Sequence, residues 1–314
     1  MRFHEVPDRK LSTLKVSPFV IHANLDCEAR WAGGGLPGKV STRVSYYAAL
    51  TAALAPEGAE VEVWVPAAID GTRLAFPVAM RVGAPPRADL VWAASDAKAA
   101  NDRRLARTLA AEHELGVPGA RVITSVGELD LVGPWVAKAP WTTAGRDRCH
   151  GDGPPSDELR TRLGRLLARF GALVVEPWLP RVLDIGVCAT VHADGTVTAH
   201  APHGLVTDAR GTFLGIDLAP PPLTELECAR LAAFVAAIGP RLGYVGPVAV
   251  DAFVTAERRL CVCEINARYS FGWVARAMQR RHGTARLGFG APPAGATALI
   301  APGPVDDGVT AWIA

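Results

Sequence analysis

Residues 246–270 read GPVAVDAFVTAERRLCVCEINARYS, and no other stretch restricts the fold as tightly. VAVDAFV and LCVCEINA carry the residue types of strands, and the polar TAERR between them is a turn, so the stretch predicts an antiparallel hairpin. A turn centred between Glu257 and Arg258 sets Asp251 directly opposite Glu264. Opposed residues in such a pair have Cβ atoms about 5 Å apart. Two carboxylates that close repel each other unless a cation lies between them. Alternation along the second strand puts Glu264, Asn266 and Arg268 on one face, preceded there by Leu260 and Val262. Cys261, Cys263, Ile265 and Ala267 then face the other way. Asp, Glu and Asn oxygens make a hard site suited to Mg²⁺, with water and phosphate oxygens completing the octahedron. Arg268 beside that metal could grip a phosphoryl group. The competing reading is a solvated hairpin whose acids are balanced by Arg258 or Arg259, and a slip of one residue in register would favour it.

A second stretch invites a different reading. GGGLPGKVST, at 33–42, matches the phosphate-loop pattern G-x-x-x-x-G-K-[ST] until its last position, which is Val40 and has no hydroxyl for magnesium. The strand FVIHAN ends at Asn24, and DCEARWA intervenes before Gly33, whereas a phosphate loop leaves its strand directly. The stretch reads as a Gly/Pro loop feeding a helix that starts at about Ser41, with Val44, Tyr47, Ala48, Thr51 and Leu54 on one stripe. Its amides or Lys39 could also line a substrate pocket and hold a carboxylate.

The rest of the chain falls into three parts. FVIHAN, AEVEVWVP and ADLVWAAS read as strands of a small, mostly parallel α/β domain over 1–95. A helix is predicted from an N-cap at Ser95 to Gly116. ARVITS, WVAKAP and ALVVEPW are short strands, and WTTAGRDRCHGDGPP between the last two is a long polar loop. A helix from Ser156 to Phe170 closes this part at Gly171. The last part is a run of hairpins around one helix. Asp194-Gly195 marks a tight turn, and Thr224 with Glu227 forms a capping box.

The hairpin motif, EINAR with an Asp thirteen residues before its Glu, resembles the ATP-grasp superfamily. ASDAKAANDRRLARTLAAEHELGVPGARVI is similar to the helix leading into that family's lid, WVAKAPWTTAGRDR to its strand and glycine loop, and VVEPWLPRVLDIGV to its hinge. The resemblance implies an α/β and α+β architecture. It comprises a pre-ATP-grasp domain at 1–95, a leading helix and lid at 96–175, and a metal-binding body at 176–314. It implies ATP between lid and body, with Mg²⁺, or Mn²⁺ in its place, on Asp251, Glu264 and Asn266. Lys138 would approach the α-phosphate. The backbone of Thr143, Ala144 and Gly145 would cover the outer phosphates, and Arg103 would reach them from the helix. Glu176 would accept from the adenine amino group, the backbone at Trp178 and Leu179 would read the adenine edge, and Asp184 would hold the ribose. Many relatives place an Arg two residues before the metal Asp, where this chain has Ala249. Arg268 or Arg146 would then carry the catalytic charge.

The implied activity is a ligase that joins a small carboxylate to an amine through an acyl-phosphate and releases ADP. A kinase-like relative and a non-turning ATP-binding regulator are the rivals, the latter disfavoured by the intact Asp251, Glu264, Asn266 set. Net charge is +2 with no block of like charges, which excludes an obvious nucleic-acid or membrane surface. MRFHEVPDRK has no apolar core of a signal peptide, and the six cysteines form no C-x-x-C pair. A reduced, cytoplasmic protein is expected, and a homodimer is compatible with all of this.

Overall fold

The computed structural model describes residues 17–130, 132–142, 147–303 and 307–314. Four strands, β1 (Phe19–His22), β2 (Val61–Val65), β3 (Ala79–Val82) and β4 (Leu90–Val91), form a parallel sheet in the order β3-β2-β1-β4. Between β1 and β2 lie α1 (Cys27–Trp31) and α2 (Gly38–Ala49). Ile21, Val63 and Leu90 bury one face of this sheet against Ala48 and Ala52. β3 was not expected from the sequence. It is an edge strand with Val82 exposed, so its residues lack the apolar run of a buried parallel strand.

The predicted helix from Ser95 is two pieces. A short 3₁₀ turn covers Ser95–Lys98, and α3 (Arg103–Glu112) starts from Asp102, whose side chain accepts from the Arg104 amide. The break has a tertiary cause. The Asn101 amide donates to the Ala267 carbonyl and accepts from the Ala267 amide, which ties the chain to the body at that point.

A second sheet is antiparallel. It contains β5 (Arg121–Ile123), β6 (Pro134–Lys138), β7 (Arg148–Asp152) and β8 (Leu173–Pro177) in the order β5-β8-β6-β7. α4 (Asp157–Phe170) packs on it through Leu163, Leu166 and Leu167, capped by Ser156 and ended by a left-handed Gly171. A third of the expected polar loop is therefore strand β7, paired with β6 from Asp152 to Arg148. Gly151 disguises it. A Cβ there would sit 2.2 Å from the Trp135 ring, so the strand needs a glycine at that position for packing.

The third sheet is the body, in which every pairing is antiparallel. Its strands are β9 (Arg181–Val191), β10 (Val197–Ala199), β11 (His203–Thr207), β12 (Phe213–Asp217), β13 (Gly246–Thr255), β14 (Leu260–Asn266), β15 (Arg286–Phe289), β16 (Thr297–Ile300) and β17 (Ala311–Ile313). The order is β14-β13-β9-β11-β12-β15-β17-β16, with β10 added to β9. α5 (Glu225–Ile238), opened by the Thr224–Glu227 capping box, packs with α3 on one face. That layer buries Leu109, Leu231 and Phe234 against Ile185, Val250 and Val254. Each such side chain contributes about 1.5–3 kcal/mol of transfer free energy. α6 (Phe271–His282) lies over the opposite face, where Val274 and Met278 share a core with Tyr46 and Leu50 of the first domain. The first domain is thus fixed to the body by a common apolar layer. All six cysteines are free thiols, four of them buried, and among the described residues no helix is long and apolar enough to cross a membrane.

His203, 2% exposed, is wedged on that second face. Burial, then Arg276 and His200, push its pKa down to about 3. An unfolded histidine titrates near 6.5, so between those values the unfolded chain binds more protons. The stability is complete above about pH 6.5 and falls as pH drops toward 3. The expected loss between pH 7 and pH 5 is about 2 kcal/mol from this group. Urea unfolding at both pH values checks it, because His203→Asn should flatten the dependence whatever its own stability.

Candidate active site

The hairpin of β13 and β14 sets Asp251 opposite Glu264, as the sequence predicts. The path to that pairing differs from the expectation. Ala252 pairs with Val262 and Val254 with Leu260, so the register shifts by one residue and Cys263 is the extra residue of a β-bulge. The bulge also reverses the faces before it. Leu260 and Val262 join Ile265 and Ala267 in the layer under α3 and α5. Cys261 lies on the other face with Phe253, and Cys263 packs beside them. The expectation that Leu260 and Val262 share a face with Glu264 is therefore corrected, because a two-residue alternation cannot run through a bulge.

Around the two acids the polar groups form one connected chain. The Asn266 amide donates to Asp251 Oδ2 at 3.0 Å. Arg268 donates to Asn266 Oδ1 at 2.8 Å and, through Nη2, to Glu28 Oε1 at 3.0 Å. Arg103 donates to Glu264 Oε1 at 2.7 Å and to the Ala139 carbonyl at 3.0 Å. Arg103 and Glu28 are among the most buried charged residues, 8% and 5% exposed, so each depends on its partner.

Glu28 is a site residue that the sequence did not reveal. It lies in DCEARWA, which looked only like an interruption before the glycines, and reaches the site through Arg268, two residues past the end of β14. A charged residue just after a β1 strand end was the available signal.

Three carboxylates, Asp251, Glu264 and Glu28, stand against two guanidiniums, Arg103 and Arg268. Burial, then the neighbouring Glu264, push Asp251 up to about 7. Burial also works against the Glu264 carboxylate, but Arg103, Arg268 and Lys138 outweigh it and hold Glu264 below its usual range. Burial raises Glu28 against the pull of Arg268. The cluster is thus one positive charge short. A divalent cation fits that deficit and the oxygen donor set of Asp251, Glu264 and Asn266. Among the described residues no group of three or more His, Cys, Asp or Glu could hold a metal. Two carboxylates and one amide leave most of an octahedron to water and phosphate.

The segment from β8 to β9, which the sequence reads as a hinge, carries the remaining candidate residues. Lys138 on β6 pairs with Glu176 on β8 at 2.5 Å, both largely buried. The Trp178 amide donates to the Pro134 carbonyl, so that N–H is committed to the lid. Asp184 accepts from Arg181 at 3.1 Å and from Thr207 at 2.7 Å. A cleft of about 550 Å³ runs along residues 178–184 and the β11–β12 turn. Arg148 of the lid spans to the carbonyls of Arg210 and Gly211 on that turn. The structure thus brings together Arg103, Lys138, Glu176, Asp251, Glu264, Asn266 and Arg268, with Trp178, Leu179 and Asp184 along the adjoining cleft. Thr143, Ala144, Gly145 and Arg146 lie outside the described residues. Ala249 sits between Asn266 and Cys188 in the sheet, so the cations nearest the acids are Arg103 and Arg268.

The glycine segment stands apart. Gly38 opens α2 after Pro37, Lys39 is exposed, and the Ala32 carbonyl before the glycines accepts from Arg169 of the lid helix. No phosphate loop is formed there, because β1 ends at His22 and α1 fills the interval. Lys39→Ala is expected to leave ATP affinity within about twofold, a change of no more than about 0.4 kcal/mol. Calorimetric titration with a non-hydrolysable analogue decides it, and a tenfold loss would restore the phosphate-loop reading.

No family model matches the sequence, and no curated protein does. Solved structures do. The biotin carboxylase domain of Hydrogenobacter thermophilus 2-oxoglutarate carboxylase, in complex with MgADP, ADP and bicarbonate, aligns over 94% of this chain and 85% of its own, with TM-score 0.60 and 12% identity. Campylobacter jejuni biotin carboxylase in a β-γ-ATP complex covers 94% and 86% at TM-score 0.59 and 12% identity. The N5-carboxyaminoimidazole ribonucleotide synthetase of Thermus thermophilus covers 94% and 92% at TM-score 0.57 and 14% identity. All three are ATP-grasp enzymes. The combination of one parallel and two antiparallel sheets matches these structures. This chain has the ATP-grasp fold.

Proposed function

We propose that the protein is an ATP-dependent ligase that joins a carboxylate to an amine. The observation that carries this is the pairing of Asp251 with Glu264, flanked by Asn266, in an ATP-grasp fold, with Asp251 paired to Gly186 two residues along β9 from Asp184 of the cleft. ATP would lie with its adenine against Glu176 and the backbone at Trp178 and Leu179. The ribose would meet Asp184 and the phosphates would meet Lys138, Arg103 and the Thr143–Gly145 backbone. Magnesium, held by Asp251, Glu264 and Asn266 together with phosphate oxygens, would neutralise charge on the transferred phosphoryl group.

The chain's own part is positioning and charge. A substrate carboxylate oxygen attacks the γ-phosphorus and the bond to ADP breaks, leaving an acyl-phosphate. The amine nitrogen then attacks the acyl carbon, phosphate leaves, and the amine proton passes to solvent or to phosphate. Arg268 and Arg146 are the proposed catalytic cations. In the structure Arg268 is held back by Glu28, so a phosphoryl group in the site would compete with Glu28 for it. The lid residues would exclude the water that otherwise hydrolyses the acyl-phosphate.

The Hydrogenobacter thermophilus domain is in complex with MgADP, ADP and bicarbonate, which makes bicarbonate the smallest acid to try first. The test is release of ADP and free phosphate from MgATP, with pairs of acids and amines. Phosphate that appears only when both partners are present supports the ligase. Phosphate retained on the acceptor makes the protein a kinase, and no nucleotide turnover with any pair removes the enzyme reading.

A further inference from the structure

We infer that Glu28 is a positioning residue: it draws the Arg268 guanidinium away from Asn266 and Asp251, and so keeps their oxygens free for a divalent cation. This deepens the ligase reading above and rests on its metal site.

Arg268 stands between two sets of acceptors. Its Nε and Nη2 donate to Glu28 Oε1 at 3.3 and 3.0 Å, and its Nη1 donates to the Tyr269 carbonyl at 3.2 Å. The same Nη2 donates to Asn266 Oδ1 at 2.8 Å, and the Asn266 amide in turn donates to Asp251 Oδ2 at 3.0 Å. Oδ1 is the atom that an asparagine offers to a hard cation. The guanidinium therefore already sits on one proposed metal donor and is one hydrogen bond removed from a second. Burial, then Glu264, raise the Asp251 carboxyl, and Arg268 is the strongest pull in the other direction. Glu264 has Arg103 as its direct partner, whereas the Asp251 carboxylate has only the Asn266 amide among the described residues. Asp251 is thus the acid that a released Arg268 would take.

A guanidinium and a divalent ion on the same oxygens repel each other, so one of them has to leave. Glu28 is the carboxylate to which Arg268 can retreat. The Glu28 side chain is 6% exposed and that of Arg268 18%, so water replaces neither partner easily. The first domain holds the Glu28 carboxylate in place. Cys27 beside it is buried in the apolar layer shared with α6, and the Glu28 carbonyl accepts from the Ala32 amide. Without the Glu28 charge, Arg268 would close on Asn266 and Asp251, and the chain's own cation would stand where the metal belongs.

The test titrates Mn²⁺ into the full chain saturated with ADP, with ADP alone as the blank. The paramagnetic resonance signal of the free ion reads binding. Glu28→Gln should bind Mn²⁺ about tenfold more weakly than wild type or worse. Adding Arg268→Gln should return the affinity to within about threefold of wild type, although that protein lacks a proposed catalytic cation. Glu28→Asp keeps the charge and shortens the arm by one methylene. It should lose about threefold or more, and Arg268→Gln should cancel that loss too. An unchanged affinity in Glu28→Gln, or a double variant as weak as Glu28→Gln, overturns the positioning role. So does Glu28→Asp with wild-type affinity, because charge alone would then account for the effect. If Glu28→Gln does not fold, Glu28→Asp with and without Arg268→Gln decides. Wild-type protein that adds nothing to the Mn²⁺ binding of ADP removes the metal hairpin and this role with it. The expected Mn²⁺ pattern in a protein that never releases ADP keeps the positioning role and overturns the ligase.

Discussion

Glu264→Gln and Asp251→Asn are each expected to fold and to lose at least a hundredfold in magnesium-dependent ADP release, about 2.7 kcal/mol of transition-state stabilisation. The substitutions keep shape and hydrogen bonding but remove the charge that a divalent cation needs. The two should differ in stability. Glu264 is the ionised partner of buried Arg103, so Gln at 264 leaves that guanidinium without its counter-charge. Asp251 is already pushed up to about 7 by burial and by Glu264, so Asn at 251 costs little and relieves a repulsion. Near-wild-type turnover in both variants, with circular dichroism unchanged, would remove the metal hairpin from the proposed function.

The second large effect falls on the pair under the hinge. Lys138→Met is expected to destabilise the protein by about 3–5 kcal/mol, the usual cost of leaving one member of a buried ion pair alone. The Glu176 side chain is 6% exposed and the Lys138 side chain 16%, so solvent screening offers little relief. Adding Glu176→Gln to Lys138→Met should recover most of that loss, since no orphan charge then remains. Affinity for ATP should not recover in the double variant, because the proposed α-phosphate contact is still missing. Urea unfolding and nucleotide titration on the same three proteins separate the two effects. A double variant that is no more stable than Lys138→Met would mean that the pair does not act as a unit.

The hairpin was legible in the sequence because its information is local. A polar turn between two apolar runs, with acids at matched distances from it, needs no tertiary knowledge, and Asp251 does face Glu264. The bulge at Cys263 was not legible, because it depends on which side of β14 the helices cover. The wrong start of α3 has the same origin. Ser95 looks like an N-cap, but Asn101 is tied to Ala267, a residue far away in sequence. β7 hid behind Gly151, whose missing side chain makes room for a tryptophan ring. Glu28 was invisible for a stronger reason. It lies on α1 of the first domain while its partner Arg268 follows β14 of the body, and only the docking of the first domain on the body makes it part of the cluster.

The extra residue at Cys263 has a consequence for anyone who exchanges parts between such proteins. Without it, the single strand β14 could not serve an apolar layer at Leu260 and Val262 and a polar cleft at Glu264 and Asn266 on the opposite side. The strand is read in two frames, and Cys263 is the frameshift, held by its thiol donating to the Asp251 carbonyl at 3.4 Å. A graft that replaces the turn and the start of β14 with a regular hairpin would restore one frame throughout. The apolar half would still seat itself under α3 and α5, and Glu264 would be turned into that layer with its charge. Such chimeras should keep residues 260–266 as one cassette, and the safe junctions are in the turn before it and at Ala267 after it.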